Sequence, residues 1–177
     1  MPYTAIESAH QFRSLMTAMA TPGTFHHMEA EAAPGVSPAA TSVLLTLVDQ
    51  DTSVYVPERL ASSEFKSWLA FHTGARLCPK AQADFALGSA EELMPLSEFK
   101  MGTEEYPDQS CTLIVDGWQA LEPVTAKGPG IESQVRINLP VAAEFVAANR
   151  YYPLGLDSFF TDGDQLFALP RSTRIEV

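Results

Sequence analysis

Leu156-Asp157-Ser158-Phe159-Phe160-Thr161-Asp162-Gly163-Asp164-Gln165-Leu166-Phe167-Ala168-Leu169 is the stretch whose reading decides the fold. Two apolar runs flank Asp162-Gly163, a pair suited to the tight turn of a hairpin because glycine reaches positive φ without a Cβ clash. Leu156 to Thr161 and Gln165 to Leu169 are therefore expected to pair as antiparallel strands.

Upstream of this hairpin, helical and strand patterns alternate. In residues 7–20, Phe12, Leu15, Met16 and Met19 recur at helical spacing, and Pro22-Gly23 ends the pattern. Ser37-Pro38 reads as an N-cap with proline in the first turn, opening a helix rich in Val43, Leu44, Leu45, Leu47 and Val48. Thr52 to Val56 alternates like a strand. Ser62-Ser63 can cap a third helix whose face carries Phe65, Trp68, Leu69 and His72, with Gly74 placed to end it. Strands are expected at Asp84 to Leu87, Cys111 to Val115 and Leu121 to Ala126. Helices are expected over Glu91 to Lys100, with Pro95 able to split it, and from Pro140 to about Asn149. Interleaved helices and strands with one late antiparallel hairpin predict an α/β fold. Residues 1–177 are expected to form a single domain with a mixed sheet flanked by helices.

Composition narrows the function classes. The chain has 177 residues, 46% of them hydrophobic, enough for a core without disulfide or metal. Twenty-two acids against 11 bases leave a net charge of -11, which disfavours nucleic acid and anionic membrane surfaces and suits docking on a more basic partner. Cys78 and Cys111 form no CxxC pair and read as buried thiols in a reducing compartment. No apolar run approaches the roughly 20 residues of a membrane span, and the N-terminus lacks a signal-peptide pattern, so a cytoplasmic location is expected.

The chemical motifs are sparse. His26-His27 are adjacent and point to opposite faces of any strand, which argues against a metal site. His72 reads either as a core histidine or as a ligand or proton-transfer group. Gly128-Pro129-Gly130 lacks phosphate-loop spacing and marks a sharp turn between strands, although exposed turn amides can line a pocket. The four lysines, Lys66, Lys80, Lys100 and Lys127, offer poor settings for a pyridoxal phosphate Schiff base. No GxSxG motif suggests a serine hydrolase, and nothing pairs two carboxylates. Arg171 and Arg174, both in the last seven residues, could fork onto phosphate or phosphonate oxygens, or equally onto carboxylates of this chain or a partner.

Several ordered segments carry a resemblance. They are Phe12 through Gly23, Thr41 through Thr52, Phe71-His72-Thr73-Gly74-Ala75, Thr112-Leu113-Ile114-Val115, Gly128-Pro129-Gly130-Ile131, and the tail with Pro153-Leu154-Gly155-Leu156-Asp157 and Leu169-Pro170-Arg171-Ser172-Thr173-Arg174-Ile175. Together they resemble the H subunit of the bacterial carbon–phosphorus (C–P) lyase system, the phosphonate metabolism protein PhnH family. Residues 24–36 and 76–105 match the family poorly. The resemblance implies a fold similar to the large domain of pyridoxal phosphate-dependent transferases but without that cofactor. It also implies a homodimer that joins subunits G, I and J in a larger core assembly. The pathway it implies attaches an alkylphosphonate to the ribose of ATP with loss of adenine, the H subunit being required and catalysis lying in the I subunit.

No family catalyst carries over to a residue here. A ligand-binding patch of His72, Gly128, Pro129, Gly130, Arg171 and Arg174 is the expectation for a phosphonate or nucleotide. Helix 7–20 and the C-terminal tail are the expected contact elements of a supporting subunit. The alternative is a stand-alone nucleotide- or phosphonate-processing enzyme.

Overall fold

The serines read as caps do cap. Helices α1 (Ala5–Ala20), α2 (Pro38–Leu47) and α3 (Ser63–Thr73) are the long ones. Ser37 Oγ accepts the Ala40 amide at 3.1 Å and Ser62 Oγ accepts the Phe65 amide at 3.1 Å. Each satisfies a first-turn donor that has no partner inside its helix. Gly74 ends α3 in the left-handed region at φ 72°. The computed structural model describes residues 5–119 and 121–176.

Seven strands form a mixed sheet. They are β1 (His26–His27), β2 (Ser53–Tyr55), β3 (Arg76–Leu77), β4 (Phe85–Gly88), β5 (Thr112–Asp116), β8 (Asp157–Asp162) and β9 (Gln165–Leu169). Their spatial order is β1-β9-β8-β5-β4-β2-β3. β3, β2, β4, β5 and β8 run parallel, while β9 pairs antiparallel with both β8 and β1. The Asp162-Gly163 turn joins β8 to β9 in the expected register, Ser158 opposite Leu169 and Asp162 opposite Gln165.

A second sheet departs from the expectation of a single one. β6 (Leu121–Lys127), β7 (Val135–Pro140) and β10 (Arg174–Glu176) pair antiparallel in the order β10-β6-β7. The helix expected from Pro140 instead begins at Ala142 as α5 (Ala142–Ala148). Pro140 closes β7, an edge strand where a residue without an amide donor is tolerated. Val141 then turns the chain at φ 43°. The helical stretch expected over Glu91 to Lys100 is split at Pro95, as that proline allows, into α4 (Ala90–Leu93) and a single 3-10 turn, Leu96–Glu98.

Alternation along the central strands divides the interior. Ile114, Phe159, Leu166 and Ala168 face one side of the large sheet, where Leu15, Val43, Leu44, Phe65 and Leu69 of α1–α3 cover them. Leu113, Val115, Phe160, Phe167 and Leu169 face the other side, under Leu93, Phe145, Leu139 and Val124. A period of two sends neighbouring residues to opposite faces, so one strand feeds both cores.

The core covers only part of the apolar stripe read on α1. Leu15 and Ala18 are buried, but Phe12 and Met16 are 46% and 57% exposed. The end of the parallel strands is tied by a capping box: Ser89 caps α4, Glu92 accepts the Ser89 amide at 2.9 Å, and the same carboxylate takes the Arg59 fork at 2.8 and 3.1 Å.

Candidate functional site

The tail and the end of α5 meet in a groove of about 350 Å³. Phe145 and Val146 come from α5, Asn149, Arg150 and Tyr152 from the segment after it, and residues 171–175 from the tail. Among the described residues, three arginines and no carboxylate line the groove, on a chain with twice as many acids as bases.

The three arginines differ in what holds them. Arg171 is committed inside the chain. Its backbone amide donates to Asp157 Oδ1 at 2.8 Å, and Nε and Nη2 donate to Asp157 Oδ2 at 3.1 and 2.5 Å. Nη1 donates to the Pro107 carbonyl. The arrangement pins the tail to the start of β8 and realises the carboxylate option left open by the sequence. Arg150 and Arg174 are exposed, and among the described residues neither has a carboxylate within ion-pair distance. Arg150 stacks over the Tyr151 ring, its guanidinium carbon 5.5 Å from the centroid. Arg174 lies opposite Lys127 in the β10–β6 ladder. Glu176 on the same strand is engaged by Lys127 at 2.8 Å. That hydrogen bond, with help from Arg174, holds the Glu176 carboxyl below the usual range.

Two polar side chains in the groove keep unpaired groups. Asn149 Oδ1 accepts the Leu156 amide at 2.9 Å, but Asn149 Nδ2 is buried without a partner. Thr173 is 1% exposed, and its hydroxyl is likewise unpartnered.

The glycine turn adjoins this region. A Cβ on Gly128, at φ 148°, would come within 3.0 Å of the Ser172 carbonyl oxygen. A Cβ on Gly130, at φ 81°, would collide with the Ala20 carbonyl. The turn thus wedges the β6–β7 hairpin between the tail and the end of α1, with Pro129 exposed at its tip. Glycine is required by close backbone approach on both sides.

His72 does not join the patch. It sits on α3, which covers the opposite side of the large sheet. Its ring lies 4.8 Å from Trp68 and 5.0 Å from Phe71, and its Nδ1 is buried without a partner. The expected patch therefore separates into His72 on one side and Gly128–Gly130 with the tail arginines on the other. Sequence reasoning missed Asn149, Arg150, Tyr152 and Thr173. The one signal that pointed to them is Arg150 beside Tyr151-Tyr152 at a helix end.

The remaining chemistry is quiet. Lys80 Nζ donates to the Leu93 and Met94 carbonyls at 3.2 and 2.7 Å, Lys100 pairs with Asp84 at 2.6 Å, and Lys127 is held by Glu176. Burial pushes the Cys111 thiol well above its ordinary range. Among the described residues no group of three or more His, Cys, Asp or Glu side chains is placed to hold a metal, and no helix is long and apolar enough to cross a membrane.

The sequence model of the bacterial phosphonate metabolism protein (PhnH) family matches residues 3–176. The alpha-D-ribose 1-methylphosphonate 5-triphosphate synthase subunit PhnH of Rhizobium meliloti (strain 1021) is 38% identical over 182 residues, covering 96% of this chain and 90% of that protein. A Stutzerimonas stutzeri protein provisionally named C-P lyase subunit HtxG is 28% identical over 173 residues, covering 94% of this chain and 84% of its own. With a family match over nearly every residue and a curated relative aligned end to end, this chain belongs to the bacterial phosphonate metabolism protein (PhnH) family.

Proposed function

We propose that this chain is a subunit of the bacterial C–P lyase system, required when an alkylphosphonate is attached to the ribose of ATP with loss of adenine. Its role is that of an assembly or ligand-binding component, with catalysis in another subunit. The observation that carries this reading is the end-to-end similarity to a synthase subunit. The surface supports it: Phe12 and Met16 on α1, and Phe71 on α3 at 82% exposure, leave large apolar side chains in water. Where such side chains gather into one patch, they form a surface that a partner covers.

The reading includes subunits G, I and J as partners, a homodimer, a cytoplasmic location and residues 1–177 acting as one unit. It also includes kinship with the large domain of pyridoxal phosphate-dependent transferases without the cofactor. Three of the four lysines, Lys80, Lys100 and Lys127, are engaged, and Lys66 stands exposed on α3 outside the groove, which supports that last point because a Schiff base needs a free amine in a pocket.

Co-expression with the G, I and J subunits tests the proposal. The chain should co-elute with them, and adenine release from ATP plus methylphosphonate should need it. A chain that never co-purifies, or a complex equally active without it, overturns the reading. The arginine-lined groove favours one alternative, a stand-alone nucleotide- or phosphonate-processing enzyme. Adenine release by the isolated chain would establish that alternative.

A further inference from the structure

We infer that the groove between the end of α5 and the C-terminal tail is a binding site for a phosphorus oxyanion carried on an organic ligand. Arg150 and Arg174 are its cationic arms, and Thr173 and Asn149 are its neutral donors. The site deepens the ligand-binding part of the proposed function and rests on that reading for the choice of probes.

Three observations converge on this groove. The first is charge. Three of the chain's seven arginines line one groove of about 350 Å³, and no carboxylate among the described residues lines it. In a protein of net charge -11, scattered bases would be expected to face acids. Arg171 does so, through Asp157. Arg150 and Arg174 are left with forks free for planar, two-point contact with anionic oxygens.

The second is unmet hydrogen bonding. Thr173 Oγ1 and Asn149 Nδ2 are buried without protein partners. Buried polar groups in folded proteins are seldom left unpaired, and both of these belong to groove-lining residues. Both can donate, as an oxyanion requires.

The third is shape and support. The volume lies in the range of small-ligand pockets, and Phe145, Val146 and Tyr152 give an apolar and aromatic wall for a ligand's organic part. Arg171 does not touch the ligand in this scheme. It is a positioning residue: its fork on Asp157 and its bond to Pro107 fix the tail that presents Ser172, Thr173 and Arg174.

Calorimetry on the full chain with inorganic phosphate, methylphosphonate and tripolyphosphate tests the site. At least one probe should bind with Kd below roughly 1 mM. Arg150→Ala and Arg174→Ala should each weaken it about tenfold or more, since each removes a charge-assisted contact. Arg174→Lys should recover only part of the loss, because a point charge cannot make the two-point contact. Thr173→Val separates recognition from folding: the ligand-free protein should melt no lower than wild type, while affinity falls. Binding of none of the probes, or unchanged affinity in both alanine variants, overturns the inference. The same variants should still co-purify with the G, I and J subunits. Lost probe binding with intact co-purification in the wild type would sink the groove alone. Failed co-purification with intact probe binding would sink the subunit reading alone.

Discussion

The two sides of the large sheet differ in the side chains that stand out on them. On the side of α1–α3, the outward residues include Phe12, Met16 and Phe71, apolar and exposed. On the side of α5 and the tail, the outward residues include Arg150 and Arg174 around a concave groove. Both sides are backed by cores of similar make-up, fed by alternate residues of the same strands. The difference is therefore imposed at the surface. One side suits a protein partner that removes apolar area from water; the other suits an anion.

The largest effect should come from removing the floor of the groove side. Phe160 is fully buried, stacked on Phe167 at 4.8 Å and 5.1 Å from Phe145. Phe160→Ala should cost about 3–5 kcal/mol in urea unfolding, from lost transfer energy plus a cavity. The strut comes next. Asp157→Ala would strand the Arg171 guanidinium, only 16% exposed, without its carboxylate. The expected loss is about 2–3 kcal/mol, with the tail loosened and any anion affinity reduced through Arg174.

Gly130→Ala tests the joint between the two sides. It forces a side chain into φ 81° and against the Ala20 carbonyl. Strain alone is about 1–3 kcal/mol. The prediction fails if the variant melts with the wild type.

A smaller, pH-dependent effect should come from the Arg59–Glu92 tie. Hydrogen bonding from Arg59 lowers the Glu92 carboxyl from 4.5 to about 2. A depressed folded pKa means the pair contributes fully above 4.5 and its contribution fades as pH falls toward 2. Glu92→Gln should therefore flatten the melting temperature between those limits relative to wild type, and change it most at neutral pH. The smallest stability effect belongs to the apolar side. Phe12→Ser with Met16→Ser should alter stability by no more than about 0.5 kcal/mol per site, since both are surface positions, yet should abolish co-elution with the partner subunits. Normal co-elution would remove this face as the docking surface.

Much of the fold was legible. Ser37, Ser62, Gly74 and Asp162-Gly163 each act through local geometry, and each lies where local rules place it. The strands β3, β7 and β10 were not legible. β3 has two residues and β10 three, too short for a pattern, and β7 mixes Arg and Asn into an edge strand ending in proline. Helical spacing placed Phe12, Leu15, Met16 and Met19 on one stripe of α1 without saying which part of it the core covers. The neighbours of α1 set its rotation: Leu15 and Ala18 face the core, and Gln11 meets Ser42 at 3.0 Å. For the site, arginine pairs were visible but their partners were not. Asp157 precedes Arg171 by 14 residues, and only the β8–β9 hairpin brings them together.

The sequence by itself determined the α/β class, the helix caps, the final hairpin and, through its ordered segments, the family. These depend on interactions over a few residues, or on the order of motifs along the chain. Tertiary structure alone decided that a second sheet exists, that His72 and the tail arginines lie on opposite sides, and that Arg171 is a strut while Arg150 and Arg174 stay free. Those outcomes depend on which distant groups the folded backbone brings within hydrogen-bonding reach, and one-dimensional spacing does not encode that distance.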